Sequence, residues 1–210
     1  MKKALLFAVP LICAVPLLAQ SAPQIPGTKD ISRVTAGTYQ ADPGHTLIGW
    51  NVNHFGFTDY FGIFGDVSGT LVLDPEAPGA AKIDMIIPVS KVTTASTGLT
   101  GHLLRAGKDG GIPDFFGPNP SDARYVSTQV IPRESGIEAT VIGDLTLNGV
   151  TKPVTLEVIF SGAGTNPFSK KATVGFKGQA DIKRSDFGIA YGIPMVSDEV
   201  SLTIEAAFEK

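Results

Sequence analysis

The segment DLTLNGVTKPVTLEV, residues 144–158, gives the clearest indication of fold class in this 210-residue chain. Apolar residues alternate with polar ones on both sides of Asn148 and Gly149, as in a strand that buries one face. An Asn-Gly pair between two such strands suits a two-residue type I′ turn, because both residues accept positive φ angles. The segment therefore predicts a β-hairpin with antiparallel strands.

The same two-residue period recurs along most of the chain. In residues 63–73, for example, Val67 and Leu71 fall on the face opposite Ser68. One short helix is predicted at residues 98–106, in the long connection between the third and fourth strands. The eight predicted strands are residues 46–54, 63–73, 81–89, 124–132, 137–147, 151–161, 172–182 and 200–208.

Eight antiparallel strands either pack as two sheets or close into a barrel, and closure removes exposed sheet edges. The interior of an eight-stranded barrel is wide enough for side chains or for one ligand. Glycines inside strands would permit the sharp bends or close contacts that a barrel requires. They occur here at Gly65, Gly69, Gly143, Gly175 and Gly178. The strands predict an all-β fold with one short helix, and strand alternation by itself fits an eight-stranded antiparallel barrel and a sandwich equally well.

The first residues have the composition of a secretory signal peptide. Two lysines precede an apolar run that ends near Leu18, and small or polar residues follow it. We predict a signal peptide over residues 1–19, a flexible N-terminal segment over residues 20–36 and a single β domain over residues 37–210. The chain is therefore expected to be exported.

The charge and the cysteine content exclude several functions. The chain has a net charge of −3, which becomes −5 once Lys2 and Lys3 leave with the signal peptide. Such a chain lacks the positive potential that would attract nucleic acid or anionic lipid headgroups. Cys13 is the only cysteine and lies in the predicted signal peptide. The exported chain would therefore have neither a thiol nucleophile nor a thiolate zinc site.

Patterns typical of catalytic sites are missing from the sequence. It contains no Gly-x-Ser-x-Gly, no His-Glu-x-x-His, no phosphate-binding loop and no calcium loop. His45 and His54 would face opposite sides of a regular strand, which argues against a shared metal ion. The Asp-Phe-Gly tripeptide at residues 186–188 matches a magnesium-binding motif of protein kinases, but no other kinase element accompanies it. We predict no catalytic residue, no metal site and no enzymatic activity.

Five short motifs occur in the order typical of one known family. They are DPGHT (42–46), VNHFG (52–56), FGDVSG (64–69), LTLNGVT (145–151) and RSDFG (184–188). Together with the predicted signal peptide, they resemble the YceI-like family of exported bacterial proteins. The resemblance implies that the strands close into an all-β, eight-stranded antiparallel, lipocalin-like barrel. It also implies that this barrel binds a polyisoprenoid lipid or an isoprenoid quinone, and that the protein is located in the periplasm. Residues 108–113 depart from the usual pattern, and we expect this longer loop to cap or reshape a barrel mouth.

An amphipathic lipid of this kind would place its apolar chain inside the barrel, since each methylene removed from water contributes about 0.8 kcal/mol. From strand parity, we predict that the chain contacts Trp50, Val52, Val67, Leu71 and Val141. We also predict that four aromatic residues line the lipid cavity, namely Phe55, Phe57, Phe187 and Tyr191. We predict that His54, Arg184 and Asp186 bind the lipid head at the mouth. Arg184 and Asp186 are expected to be coupled there, either as a structural clasp, in which they pair with each other or with the backbone, or as polar contacts for the lipid head.

The sequence leaves two other functions open. The chain could be an enzyme for a buried apolar substrate, with His54 and Asp186 as acid and base. It could also be an adaptor that binds a membrane redox protein through one end of the barrel. In either case transient contact with a membrane is expected, and the oligomeric state is not determined.

Overall fold

The computed structural model describes residues 24–210, so the predicted signal peptide lies outside the described residues. Within that range one α-helix, α1, spans Thr97–Leu103, and no helix there is long and apolar enough to cross a bilayer. Short 3-10 helices lie at Ile31–Arg33, Pro78–Ala80, Val89–Lys91, Lys108–Gly110 and Arg184–Phe187. The strands are β1 (Gly37–Ala41), β2 (Leu47–His54), β3 (Thr58–Phe64), β4 (Ser68–Leu73), β5 (Lys82–Ile87), β6 (Thr93–Thr94), β7 (Ala123–Pro132), β8 (Glu138–Leu147), β9 (Val150–Thr165), β10 (Ala172–Lys183) and β11 (Glu199–Glu209).

Eight of these strands close into an antiparallel barrel. Around the ring, the order is β1, β4, β5, β7, β8, β9, β10 and β11, and β11 pairs with β1 to complete it. The closing pairs are Gln40 with Glu209 and Ala41 with Phe208. The predicted all-β, eight-stranded barrel is therefore confirmed. A sandwich is excluded, because two separate sheets would leave the β1–β11 pair unmade.

The remaining strands continue the sheet at one end of the barrel, where β2 pairs with β11 and β3, and β6 pairs with β3. The first predicted strand is present as β2, but the strand before it, β1, was not predicted. The prediction of one continuous strand over residues 63–73 is wrong, because β3 and β4 are separated by a bend at residues 65–67. Asp66 adopts a positive φ of 54° in this bend. β1 with β2, and β3 with β4, thus form two long bent strands.

The hairpin at Asn148-Gly149 is confirmed in detail. Leu147 pairs with Val150 across the turn, and φ is 52° at Asn148 and 76° at Gly149. The strands on either side are long and regular because their inward residues pack into the barrel. β9 continues to Thr165, beyond the predicted end at residue 161, since it keeps its pairing with β10 over that length. The helix predicted at residues 98–106 is confirmed as the shorter α1, whose first turn is capped by the Ser96 hydroxyl oxygen accepting from the Leu99 amide.

Two glycine substitutions are expected to change stability in opposite directions. Gly149→Ala should lower the free energy of unfolding by about 1 kcal/mol, because an L-residue in the left-handed region is strained. Gly101→Ala should raise it by about 0.5–1 kcal/mol, because Gly101 lies in α1 with no atom near the added methyl group. Urea unfolding of both variants measures the two differences. If both substitutions changed the free energy of unfolding equally and in the same direction, the assigned turn geometry would be wrong.

The antiparallel order places the loops at two ends of the barrel. We call the lower end the one that carries the β4–β5, β7–β8 and β9–β10 turns. The upper end carries the β2–β3 turn, α1, the β8–β9 turn and the segment between β10 and β11. The larger apolar core includes Tyr39, Val67 and Val174, and a second cluster surrounds Phe187. The barrel is thus packed differently at its two ends.

Candidate functional site

The barrel interior contains a cavity of about 370 Å³ that extends to the lower end. Its walls are the inward-facing residues of consecutive strands, such as Ile83, Met85 and Ile87 on β5. Proline and glycine residues of the lower turns, Pro75 and Gly136 among them, border it below. This volume is within the range of small-molecule binding sites in proteins. The site therefore has room for an apolar ligand or for a segment of a longer one.

The uncharged polar side chains that line the cavity are already hydrogen-bonded to the protein. The Tyr125 hydroxyl lies 3.2 Å from the carbonyl oxygens of both Val141 and Val154, and burial raises the pKa of this phenol. The Thr46 hydroxyl donates to the Ala207 carbonyl at 3.1 Å and accepts from the Ala207 amide at 3.2 Å. Neither group is left to orient a polar ligand. The cavity consequently favours a hydrocarbon chain.

The two charged residues that border the cavity, Lys177 and Glu138, are exposed at the protein surface. Lys177 donates to Glu205 at 2.8 Å, and Glu138 is exposed at the start of β8. No cluster of three or more His, Cys, Asp or Glu side chains among residues 24–210 is placed to hold a metal ion. The geometry provides neither a charged ligand site inside the barrel nor a metal centre within that range.

The upper end is closed by the segment between β10 and β11. Phe187 is 1% exposed and packs among the inward residues of β8, β9 and β10. Its carbonyl oxygen accepts from the Asn148 side chain at 3.0 Å, which ties it to the β8–β9 turn. Gly188 follows with a left-handed φ of 76° and ends the 3-10 helix. We call this segment, residues 184–198, the upper plug.

Arg184 holds the upper plug in shape. Its guanidinium donates to the carbonyl oxygens of Ser197 at 2.8 Å, Ile189 at 3.0 Å, Tyr191 at 2.8 Å and Val196 at 2.9 Å. The side chain is only 6% exposed, and its burial lowers the pKa of the guanidinium although nearby Asp198 opposes this effect.

Asp198 is fixed in turn by Ser185, which donates from its backbone amide and its hydroxyl. These two bonds, the hydroxyl bond above all, lower the pKa of the Asp198 carboxyl. The carboxylate thus remains ionised close to the buried guanidinium, and the planar fork of Arg184 matches several carbonyls at once.

Comparison with known proteins gives this barrel a family. The model of the YceI-like domain matches residues 39–208. The chain belongs to the YceI-like family. Protein YceI of Escherichia coli O6:H1 is 36% identical over 161 residues, which cover 76% of this chain and 79% of that protein.

Two solved structures have the same fold as this YceI-like chain. BcnA of Burkholderia cenocepacia superposes with a TM-score of 0.63 at 23% identity, over 80% of this chain and 98% of that one. A polyisoprenoid-binding domain of Saccharophagus degradans, implicated in plant cell wall breakdown, superposes with a TM-score of 0.54 at 14% identity, over 81% and 97%. At these identities the likeness concerns the fold alone.

The structure places three of the predicted lining residues of the YceI-like barrel in the cavity wall. These are Val67, Leu71 and Val141, which are at most 4% exposed. Their strands belong to the closed ring, where strand parity decides which side chains face inward. The other predicted lining and head-contact residues lie outside the cavity wall. They are Trp50, Val52, His54, Phe55, Phe57, Arg184, Asp186, Phe187 and Tyr191.

The predicted residues on β2 lie outside the cavity although Ile48 of the same strand lines it, because residues 50–54 continue toward the β2–β3 turn at the upper end. The ring of Trp50 packs so closely on Gly62 of β3 that a Cβ atom there would lie 2.1 Å from Trp50 Cζ2. Trp50 Nε1 is buried and has no hydrogen-bond partner within residues 24–210. The backbone of His54 pairs with Val196 of the upper plug, and Val52 pairs with Tyr60.

The predicted aromatic residues of the upper end are divided between its surface and its interior. Phe55 and Phe57 lie at the β2–β3 turn, where Phe57 is 90% exposed and Phe55 has a positive φ of 58°. Tyr191 forms edge-to-face contacts with His102 and Phe115, which close the space beside α1. Residues 108–113 also lie outside the cavity wall, and Ile112 is 91% exposed.

The predicted coupling of Arg184 with Asp186 is wrong. Arg184 is directed to four backbone carbonyls, and Asp186 is exposed at the surface of the 3-10 helix. The acidic neighbour of Arg184 is Asp198, which comes from the far end of the same segment. Sequence proximity suggested the nearer aspartate, whereas the helical turn directs it away from the guanidinium.

Most of the cavity wall was missed by the sequence analysis. The missed residues of the regular strands follow the same two-residue period, which was a sufficient signal. They include Ile83, Met85 and Ile87 on β5, Val154, Leu156, Val158 and Phe160 on β9, and Leu202, Ile204, Ala206 and Phe208 on β11. Ile31 and Val34 also line the cavity, but they come from the N-terminal segment, where no periodic pattern indicates them.

Proposed function

We propose that this chain is an exported periplasmic protein that holds the apolar chain of an amphipathic lipid, such as a polyisoprenoid or an isoprenoid quinone, in the barrel cavity. The observation that supports this proposal most directly is a cavity of about 370 Å³ whose wall is apolar and whose lining hydroxyls are hydrogen-bonded to the protein. The polyisoprenoid-binding domain with the same fold supports the choice of lipid class. The bound lipid would be carried or sequestered without chemical change.

The energetics suit a chain better than a compact ligand. Ten buried methylene groups would contribute roughly 8 kcal/mol, which is comparable with the cost of associating two molecules. Methyl-branched hydrocarbon fills an irregular apolar wall well, since it makes dispersion contacts on several sides. The head would remain near the lower end, because the interior leaves no polar group to bind it. Specificity would then depend on chain length and branching.

Native mass spectrometry of the protein isolated from its own periplasm tests the proposal. We expect a mass adduct that solvent extraction removes and that is identified as an isoprenoid lipid. The protein should also gain thermal stability when a polyprenyl ligand is added back. The proposal would be wrong if the isolated protein carried no adduct and gained no thermal stability from polyprenyl ligands.

A pair of tryptophan substitutions on β4 tests whether the lipid lies inside the barrel. Leu71 is 4% exposed and faces the cavity, whereas its neighbour Val72 is 41% exposed on the outer face. Leu71→Trp should reduce retained lipid by about tenfold or more, since the indole occupies the space of the chain and overpacking costs at least about 1.4 kcal/mol. Val72→Trp should leave retention unchanged. Equal retention by both folded variants would place the lipid elsewhere.

A further inference from the structure

The N-terminal segment before the barrel contributes to the cavity. We call residues 25–35 the N-terminal strap. Within it, Ile31 and Val34 line the cavity, and Val34 is 8% exposed. Ile31 Cδ1 lies 3.7 Å from the position that a Cβ atom would take at Gly136, in the β7–β8 turn. The N-terminal strap therefore spans the lower end between β9 and the β7–β8 turn.

One end of the N-terminal strap is firmly attached to the barrel. The Tyr39 hydroxyl donates to the Thr35 carbonyl at 2.6 Å, and Tyr39 is fully buried. Lys210 Nζ donates to the carbonyls of Thr35 at 3.1 Å and Ala36 at 2.5 Å. These contacts join the segment to β1 and to the end of β11. They form a fixed point about which the rest of the N-terminal strap could turn.

The other end has few contacts with the barrel. Thr28 and Ala163 exchange two backbone hydrogen bonds, of 3.1 Å and 2.8 Å, at an edge of β9 that β8 no longer covers. Apart from Val34, the residues of the N-terminal strap are exposed. Arg33 bonds to the Pro26 carbonyl and the Thr28 hydroxyl, so the segment is braced internally. A braced segment with little buried apolar surface can detach as a unit at lower cost than global unfolding.

Glycines on β9 make room for this contact. A Cβ atom at Gly164 would lie 2.3 Å from the Pro26 carbonyl oxygen, and one at Gly162 would lie 3.0 Å from the Thr28 carbonyl oxygen. Both clashes involve backbone atoms, so a side chain could not rotate to relieve them. Glycine at residue 164 is thus required for the N-terminal strap to lie against β9, whereas a Cβ atom at residue 162 would need only a small shift of the strap.

We infer that the N-terminal strap is a gate for the cavity. It closes the lower end when Thr28 pairs with Ala163, and it opens by turning about its attachment at Thr35 and Ala36. In contrast, the upper end is filled by the fully buried Phe187 and held by the four hydrogen bonds of Arg184. The inference rests on the proposed function only for the identity of the ligand, since the route of access can be measured without lipid.

A single cysteine in the cavity wall measures access. Val141 is 2% exposed and lines the cavity, and Val141→Cys places a small apolar thiol there in a full chain that also carries Cys13→Ser. The rate of alkylation by N-ethylmaleimide then reports entry of a small molecule. Gly164→Ala is added to displace the N-terminal strap. Gly175→Ala is the matched control, because its Cβ atom would have no neighbour closer than 3.7 Å.

We expect Gly164→Ala to accelerate alkylation by about tenfold or more and Gly175→Ala to leave the rate unchanged. The acceleration should be nearly independent of urea at low concentration, as for a local opening. An unchanged rate with Gly164→Ala, or an acceleration that follows global unfolding in urea, would overturn the gate. If only the proposed function were wrong, the outcome would be different. The alkylation rate would still depend on residue 164, but no isoprenoid lipid would be found in the protein.

Discussion

Replacing Arg184 with alanine is expected to lower the free energy of unfolding by about 3 kcal/mol or more. The substitution leaves four carbonyl oxygens of the upper plug without their donor, and hydrogen bonds to a charged group contribute about 1.5–3 kcal/mol each. Water would satisfy part of this loss, since Tyr191 is half exposed. Urea denaturation followed by tryptophan fluorescence or circular dichroism measures the difference.

Two variants serve as controls for Arg184. Lys183→Ala removes an exposed positive charge next to it in sequence and should change the free energy of unfolding by no more than about 0.5 kcal/mol. Arg184→Lys should recover little of the loss, because an ammonium group cannot reach four carbonyls in one plane. If Arg184→Ala unfolded at the wild-type urea concentration, the structural role of this residue would be wrong. Lipid retained per folded molecule should be unchanged, which separates a structural role from head contact.

Truncating Phe187 is expected to have a similarly large effect for a different reason. Phe187→Ala should lower the free energy of unfolding by about 3–5 kcal/mol, because it empties a fully buried site in a second apolar cluster. Tyr191→Ala removes a ring of similar size from the same segment, but that ring is 49% exposed, so the loss should be much smaller. Comparison of the two unfolding curves isolates the effect of burial. Nearly equal losses would show that Phe187 does not close the barrel.

The strands of the closed ring were the most predictable part of the fold. Six of the eight predicted strands match β5 and β7–β11 within a few residues, because alternation is strict where one face is buried. The bend at residues 65–67 was not predictable in this way, because it shifts the inward parity from even to odd residues. Before the bend Phe64 packs against the core while Ile63 is 43% exposed, and after it Leu71 is buried. The cavity residues Val67, Leu71 and Val141 were predicted correctly for the same reason, because alternation shows which side chains of a strand are buried.

The functions assigned to polar and aromatic residues were less predictable. Arg184 and Phe187 belong to a conspicuous motif, yet the motif forms the upper plug and not the cavity wall. A charged side chain in such a motif has the same sequence signature whether its partners are a ligand or backbone carbonyls. Trp50 and His54 follow the parity of Ile48, which lines the cavity, but they lie farther toward the upper end, beyond the part of β2 that forms the cavity wall.

The sequence by itself determined the antiparallel strands, the turn at Asn148-Gly149 and the inward face of the ring strands, because each depends on local backbone preference and on a two-residue period. Closure of these strands into a barrel was not determined by that period, which fits a sandwich equally well. Only the tertiary structure decided that the guanidinium of Arg184 donates to four backbone carbonyls and that the N-terminal strap lies over Gly164. Those contacts join residues through closure of the sheet and through loops without a period. Their partners are backbone atoms, which are the same in every sequence and can be located only in three dimensions.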